Sequence, residues 1–334
     1  MALGGSLPEI YSALLSEDLA NLELKESRAD CSHCSMCHGP QDPYVAPFLP
    51  STKCCTYWPK LPNYLVGSLL SDTSGRFTEG QRRVRAKIAE GVECTPLGLG
   101  PTAEWMDRFH AIRTTAFGRD ETLLCPYYDS SIDGGGCSIW AHRESDCTSF
   151  FCKFENARHY EFWRQLGAFL ALMEQKLAPW AQSIAAREGD FTAAPEAFFI
   201  RTSQAVRGLV PHELPAILGE PWERRSRELE RAMADLVPFS VPERVRLARG
   251  LRVLKDEQSV SLVSYNELDA IQIPLESYLF LENAGRSVST VSLVEQLANA
   301  QKKCTKPVSA TINENLNEQS LVQWLLDHEV LSSE

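Results

Sequence analysis

Ten of the eleven cysteines of this 334-residue chain fall in its first half, nine of them in clusters, and thiols at such spacing are metal ligands or disulfide partners. Cys31, Cys34 and Cys37 form C-x2-C-x2-C within CSHCSMCHGP. Two intervening residues leave enough chain to turn and aim successive sulfurs at one ion or cluster, as zinc knuckles and iron–sulfur loops do. Sixteen residues further, across a proline-rich loop, stand Cys54 and Cys55. Adjacent cysteines point in different directions in most backbone conformations, so one can ligate while the other packs or serves a second ion. A last set, Cys125, Cys137, Cys147 and Cys152, is spaced by eleven, nine and four residues. Gly134, Gly135 and Gly136 within it permit positive φ and a close backbone approach, as a loop wrapping a metal needs.

A tetrahedral zinc site and a cubane cluster each take about four ligands. Two sites, or one site with spare thiols, are both compatible with nine thiols. All-cysteine sets suit zinc and iron–sulfur clusters alike, so the cofactor expected is one or the other. His33 and His38 are lesser ligand candidates, because a solvated loop histidine is commonplace. Cys94 and Cys304 stand alone and read as ordinary thiols. Eleven cysteines in all is an odd count for a disulfide framework. Candidates for acid–base chemistry beside the metal are Asp133, His142, Glu144 and Asp146. Each has a plainer role: Asp146 could cap a turn, and His142 or Arg143 could hydrogen-bond sulfurs.

The stretch CPYYDSSIDGGGCSIWAHRESDCTSFFC carries more than spacing. Cys125-Pro126, Cys137-Ser138-Ile139-Trp140, Arg143 and Cys147 follow one another as in the YkgJ-type, or CxxCxxCC, zinc- or iron-chelating cysteine-cluster family, which this region resembles. The resemblance covers residues from about 31 to 155 and implies metal binding rather than a reaction. The chain departs from that pattern twice. His38 follows Cys37 where a second cysteine is usual, which passes the pair's place to Cys54-Cys55 or makes His38 a ligand. Glu144 follows Arg143 where a proline is usual, so the turn before Cys147 is expected to differ. A similar cysteine signature occurs in flagellin lysine N-methylase-like proteins, which implies an iron–sulfur-dependent protein-modifying enzyme as an alternative.

The elements that must position these thiols are mostly helical. Leucine and isoleucine spacing over 8–24 predicts an amphipathic helix covering the metal domain. The segment from Trp58 to Leu70 is apolar and aromatic, and is expected to wall the metal off from water. A basic helix over 76–90, another helix over 102–116, and a long amphipathic helix from Asn156 to Glu188, bent or interrupted at Pro179, follow. Further helices are expected at about 196–208, 221–236 and 241–255. The last sixty residues suggest turn and helix elements similar to winged-helix and PqqD-like peptide-recognition modules.

The expected fold is thus mainly α. It comprises an N-terminal helix (1–30), an irregular cysteine-cluster metal-binding domain (31–155), a helical domain (156–270) and a small winged-helix-like unit (271–334). Metal binding is expected to supply much of the folding energy of 31–152, on the order of 10 kcal/mol per structural site.

A net charge of −11 argues against general nucleic-acid binding. No apolar run approaches the roughly 20 residues of a membrane helix. The N-terminal residues lack a basic region and a small-residue cleavage site, so a cytoplasmic location is expected. No Gly-rich phosphate loop, HExxH or nucleophile elbow occurs. Three functions remain in view: a metalloprotein, an iron–sulfur enzyme, and a scaffold whose helical C-terminal half binds a peptide or protein.

Overall fold

The computed structural model describes residues 2–24, 26, 28–29, 31–38, 45–237, 241–257, 259–283, 288–293, 295 and 318–333. The chain is mainly α-helical, with small antiparallel sheets between and after the helices. Among the described residues no helix is long and apolar enough to cross a membrane.

The central element is the helix Ala157–Ala185. Asn156 starts it by accepting from the backbone N–H groups of Arg158 and His159 at 3.0 and 3.1 Å, two donors that a helix start leaves unpaired. Phe162, Leu166, Phe169, Leu170, Met173 and Leu177 recur three or four residues apart and are all buried. Pro179 does not end the helix, contrary to the interruption expected there. Its apolar face continues through Ala181 and Ala185, and Asn63 Nδ2 donates to the Ala178 carbonyl at 2.9 Å. Packing on that face outweighs the single intrahelical bond that proline removes.

Against this helix lie Pro195–Arg207 and Pro221–Ala234, each with proline in its first turn, where the missing N–H is not needed. The N-terminal segment also joins this core, but not as the single helix expected over 8–24. It forms two short helices, Glu9–Ser12 and Glu17–Asn21. The Ser16 side chain caps the second by accepting from Leu19 N. The break lets the segment fold back, with Leu3 N donating to Leu22 O at 2.7 Å, so that Leu3, Leu7, Ile10, Leu14 and Leu19 all reach the core. The segment therefore packs on the long helix.

A second core surrounds the helix Asn63–Leu70, every residue of which is buried. Gly67 is required there, because a Cβ would collide with the Phe199 carbonyl oxygen of the crossing helix. Val84 and Ile88 of the basic helix Thr78–Glu90, with Leu99, Tyr127 and Ile139, complete this core. The helix Ala103–Ala116 is capped by Thr102, whose hydroxyl accepts from Trp105 N.

A third core closes the C-terminal part. Residues 241–255 are not a helix: they contribute the strands Arg244–Leu247 and Arg252–Lys255. The second strand pairs with Ser259–Val263, which pairs in turn with Ile271–Pro274. Arg244–Leu247 lies between Val288–Ser289 and Leu331–Ser333. Val245, Val260, Leu262, Ile271 and Ile273 point into one apolar cluster with residues of the helices Leu275–Asn283 and Glu318–Asp327. The arginine-rich segment has no wide apolar stripe to bury as a helix, whereas β-branched valines pack well on a half-buried sheet. Gly250 makes the intervening turn with φ of 87°.

Candidate metal centre

Four loop stretches bring the cysteines together. Cys34 and Cys37 flank the first turn of the short helix Ser35–His38, with Cys37 N donating to Cys34 O at 3.0 Å. That turn is pinned by Phe48 N, which donates to Met36 O at 2.9 Å, and by Met36 and Phe48 packing together. His33 is exposed, and the side chain of His38 lies outside the described residues. Cys54 and Cys55 leave a tight turn in which Cys55 N donates to Thr52 O and Thr56 N to Cys54 O.

The adjacent pair borders two apolar clusters. Cys54 packs with Cys34, Cys37 and Cys152 around Phe48 and Phe117. Cys55 belongs to the neighbouring core with Cys125 and Cys137. Cys125 N donates to Cys55 O at 2.8 Å, which holds the third stretch against the second. Cys147 lies close enough to Cys125, and Cys31 to both Cys54 and Cys137, for each to feel its neighbour's charge. One apolar cluster thus takes in Cys34, Cys37, Cys54 and Cys152, and the other Cys55, Cys125 and Cys137, with Cys147 near Cys125 and the Cys54 thiol in hydrogen-bond reach of Cys31 and Cys55. Cys31, the one exposed cysteine among those described, stands between them.

Lys53 ties the Cys31 loop to the glycine turn before Cys137, and nothing in the sequence singled it out. Its ammonium is buried and donates to Cys31 O at 2.6 Å and to Gly135 O at 3.0 Å. Its backbone sits at φ of 50°, a strained value for a residue with a Cβ. Gly134 and Gly135 opposite it also have positive φ, as a loop in this position requires, and a Cβ on Gly135 would collide with the Tyr128 hydroxyl. The strand pair Tyr128–Asp129 and Gly136–Cys137 closes this loop and sets the Cys137 direction. The one sequence signal was a lysine immediately before a cysteine pair.

Cys147 is aimed by the short helix Ser145–Ser149. Glu144 caps it, accepting from Asp146 N at 2.5 Å and Cys147 N at 2.9 Å. A carboxylate replaces the rigid turn of a proline and satisfies two backbone donors at the same time. Arg143 donates to Cys147 O at 2.8 Å and lies over the Trp140 ring. Its role is with the backbone beside the sulfur. Ser35 Oγ lies 3.9 Å from Cys152 Sγ, and Asn266 Nδ2 donates to Cys152 O at 3.0 Å, which ties the C-terminal part to the cluster.

Of the acid–base candidates, Asp146 accepts from the Tyr57 hydroxyl at 3.1 Å, and Asp133 is exposed. His142 hydrogen-bonds no sulfur. Its ring bonds Ser68 and Asp72 instead.

All ten described cysteines are free thiols. Burial, followed by the neighbouring Cys34, pushes Cys37 up to about 12. Burial also pushes Cys152 up to about 11 and raises Cys125, Cys137 and Cys147. These thiols therefore hold their protons at neutral pH, and a metal that enters must displace them. Among the described residues, no group of three or more Cys, His, Asp or Glu is already closed around one ion-sized point. No protein-family model matches the chain, and no curated protein or solved structure matches it.

Proposed function

We propose that this chain is a cysteine-cluster metalloprotein of YkgJ type, binding zinc or an iron–sulfur cluster through thiolates of its N-terminal half. The observation that carries this reading is convergence: Cys34, Cys37, Cys54 and Cys152 pack in one apolar cluster although they come from three stretches of chain. The ten described cysteines form no disulfide with one another, which leaves their thiols available as ligands. The candidate ligands are Cys31, Cys34, Cys37, Cys54, Cys55, Cys125, Cys137, Cys147 and Cys152. When bound, the metal would cross-link the four loops, and a redox-active cluster would add electron transfer. Such thiols persist in a reducing compartment, in keeping with a cytoplasmic location.

The C-terminal part supports a second role. Its helices over a small sheet are in keeping with a winged-helix-like module that binds a peptide or protein, held on the metal-bearing half through Asn266 and Lys153.

The deciding experiment is metal analysis and a visible spectrum on protein purified without oxygen. Iron with acid-labile sulfide would turn attention to a protein-modifying enzyme and to a methyl-transfer assay. Colourless protein with one or two zinc ions would favour a scaffold. Cys125→Ser and Cys147→Ser should lower metal content, whereas Cys304→Ser, outside the described residues, should not. Equal loss in all three, or no metal in the wild type, overturns the proposal.

A further inference from the structure

Away from the cysteines, four polar side chains from three stretches of chain form one directed hydrogen-bond chain. Ser68 Oγ lies 3.2 Å from His142 Nδ1, and His142 Nε2 lies 3.1 Å from Asp72 Oδ2. Arg207 Nη2 donates to Ser68 Oγ at 3.1 Å. The partners assign the tautomer. A carboxylate only accepts, so Nε2 carries the proton and Nδ1 accepts from the serine hydroxyl. Ser68 then accepts from Arg207 and donates to His142. Asp72 is itself fixed, its other oxygen accepting from Ser74 N and Ser74 Oγ at 2.8 and 2.5 Å. Phe77 packs edge-on against the imidazole and sets its plane.

A serine within a helix ordinarily turns its hydroxyl to a carbonyl one turn back, as Ser71 does to Gly67 O at 2.7 Å. Ser68, three residues earlier, bonds a histidine and an arginine instead. Both distances lie within the nucleophile–base and base–orienter range that defines an activated serine, whatever the order of the residues in the chain. Burial, opposed by Asp72, holds His142 below its usual range, so the ring is neutral and ready to take a proton near pH 7.

We propose that Ser68, His142, Asp72 and Arg207 form an acyl-transfer site, with Ser68 as nucleophile toward a small carboxylic ester. Ser68 Oγ bonds to the ester carbonyl carbon while its proton passes to His142 Nδ1. The alcohol then departs with that proton, leaving Ser68 acylated. Water reverses the sequence, giving its proton to His142 and releasing the carboxylic acid and free Ser68. Arg207 donates to Ser68 Oγ and so orients the nucleophile's oxygen; like Asp72 it acts by positioning. Ser68 is itself nearly buried, while Arg207, which bonds it, reaches the surface in an ion pair with Glu9, the two side chains being 40% and 79% exposed. The ester must be small. This site is independent of the metal reading.

The test is labelling of the intact chain by a fluorophosphonate, a serine-directed acyl-transfer probe, with the modified residue located by mass spectrometry. Modification at Ser68 is expected, with none in Ser68→Ala. His142→Gln and Asp72→Asn should each slow it on the order of 100-fold or more, while Asp72→Glu should restore much of the rate without tracking Tm. Folded wild-type protein that is not modified at Ser68 overturns the proposal, as does a His142→Gln variant that is labelled as fast as wild type.

Discussion

The cysteine-bearing region, 31–152, and the helical region, 157–234, reach order by different means. In the helical region a cap, an apolar stripe and proline-led helix starts agree with one another, and the buried side chains Phe162, Leu166 and Leu170 form a continuous seam. In the cysteine region the helices Asn63–Leu70, Thr78–Glu90 and Ala103–Ala116 alternate with loops, and the thiol-bearing loops are held by particular polar contacts: Lys53 on two carbonyls, Glu144 on two amides, Cys125 N on Cys55 O. Hydrophobic burial is non-directional and tolerates many contact patterns, whereas a contact-built loop depends on each partner. The helical region rests on that seam and shares a further core with the helix Asn63–Leu70 of the cysteine region. The thiol-bearing loops depend on single contacts, and under the metal-binding proposal a bound ion would cross-link them.

That contrast is broken most directly by removing the metal. Chelation should withdraw on the order of 10 kcal/mol from the cysteine region per structural site. Hydrogen exchange over 31–152 should accelerate strongly while 157–234 stays protected. Equal acceleration in both regions would show that they are one folding unit.

The converse is Phe162→Ala in the helical seam, where a fully buried ring is lost. Truncation of that kind costs about 3–5 kcal/mol. The urea midpoint should fall by a similar amount with metal present or removed, and a metal-dependent loss would contradict the division.

A third change probes the seam between the regions. Glu174 of the long helix accepts from Ser145 N and Ser145 Oγ, both at 2.7 Å, and from the Tyr11 hydroxyl. Burial first, then the Glu144 carboxylate, push it up to about 8, against 4.5 for an ordinary glutamate. Because the folded value is the higher one, its stabilising contribution is full below about pH 4.5 and is lost as pH rises through about 8. Glu174→Gln keeps the shape and hydrogen-bonding capacity without the charge. Relative to wild type it should gain up to a few kcal/mol between pH 5 and pH 9. Parallel urea midpoints over that range would show that Glu174 is ionised throughout.

The smallest effect expected is from Lys53→Met, which keeps the buried stem and removes the ammonium. Two carbonyls lose a donor, a cost of about 1–3 kcal/mol. Weakened zinc or iron retention should accompany it, measured by competition with a chromophoric chelator. Retention equal to wild type would limit Lys53 to a structural role.

The helices over 103–116, 157–185, 195–207 and 221–234 were legible because caps, prolines and apolar spacing are local signals that tertiary packing here reinforces. The continuous helix over 8–24 and the helix over 241–255 were not. In the first, Ser16 restarts the chain so that both halves reach one core. In the second, strand partners at 259–263, 288–289 and 331–333 decide the state of an ambiguous arginine–valine run.

By itself the sequence determined the chemistry available: which thiols exist, how closely they are spaced, and that glycines allow a loop to bend around them. Only the tertiary structure decided which way each one faces. Cys54 and Cys55 border different apolar clusters, Lys53 ties the Cys31 loop to the glycine turn before Cys137, and His142 bonds Ser68 and Asp72. The physical reason is range. Spacing and propensity act over a few residues, while the direction of a side chain in a loop is set by partners tens to more than a hundred residues away.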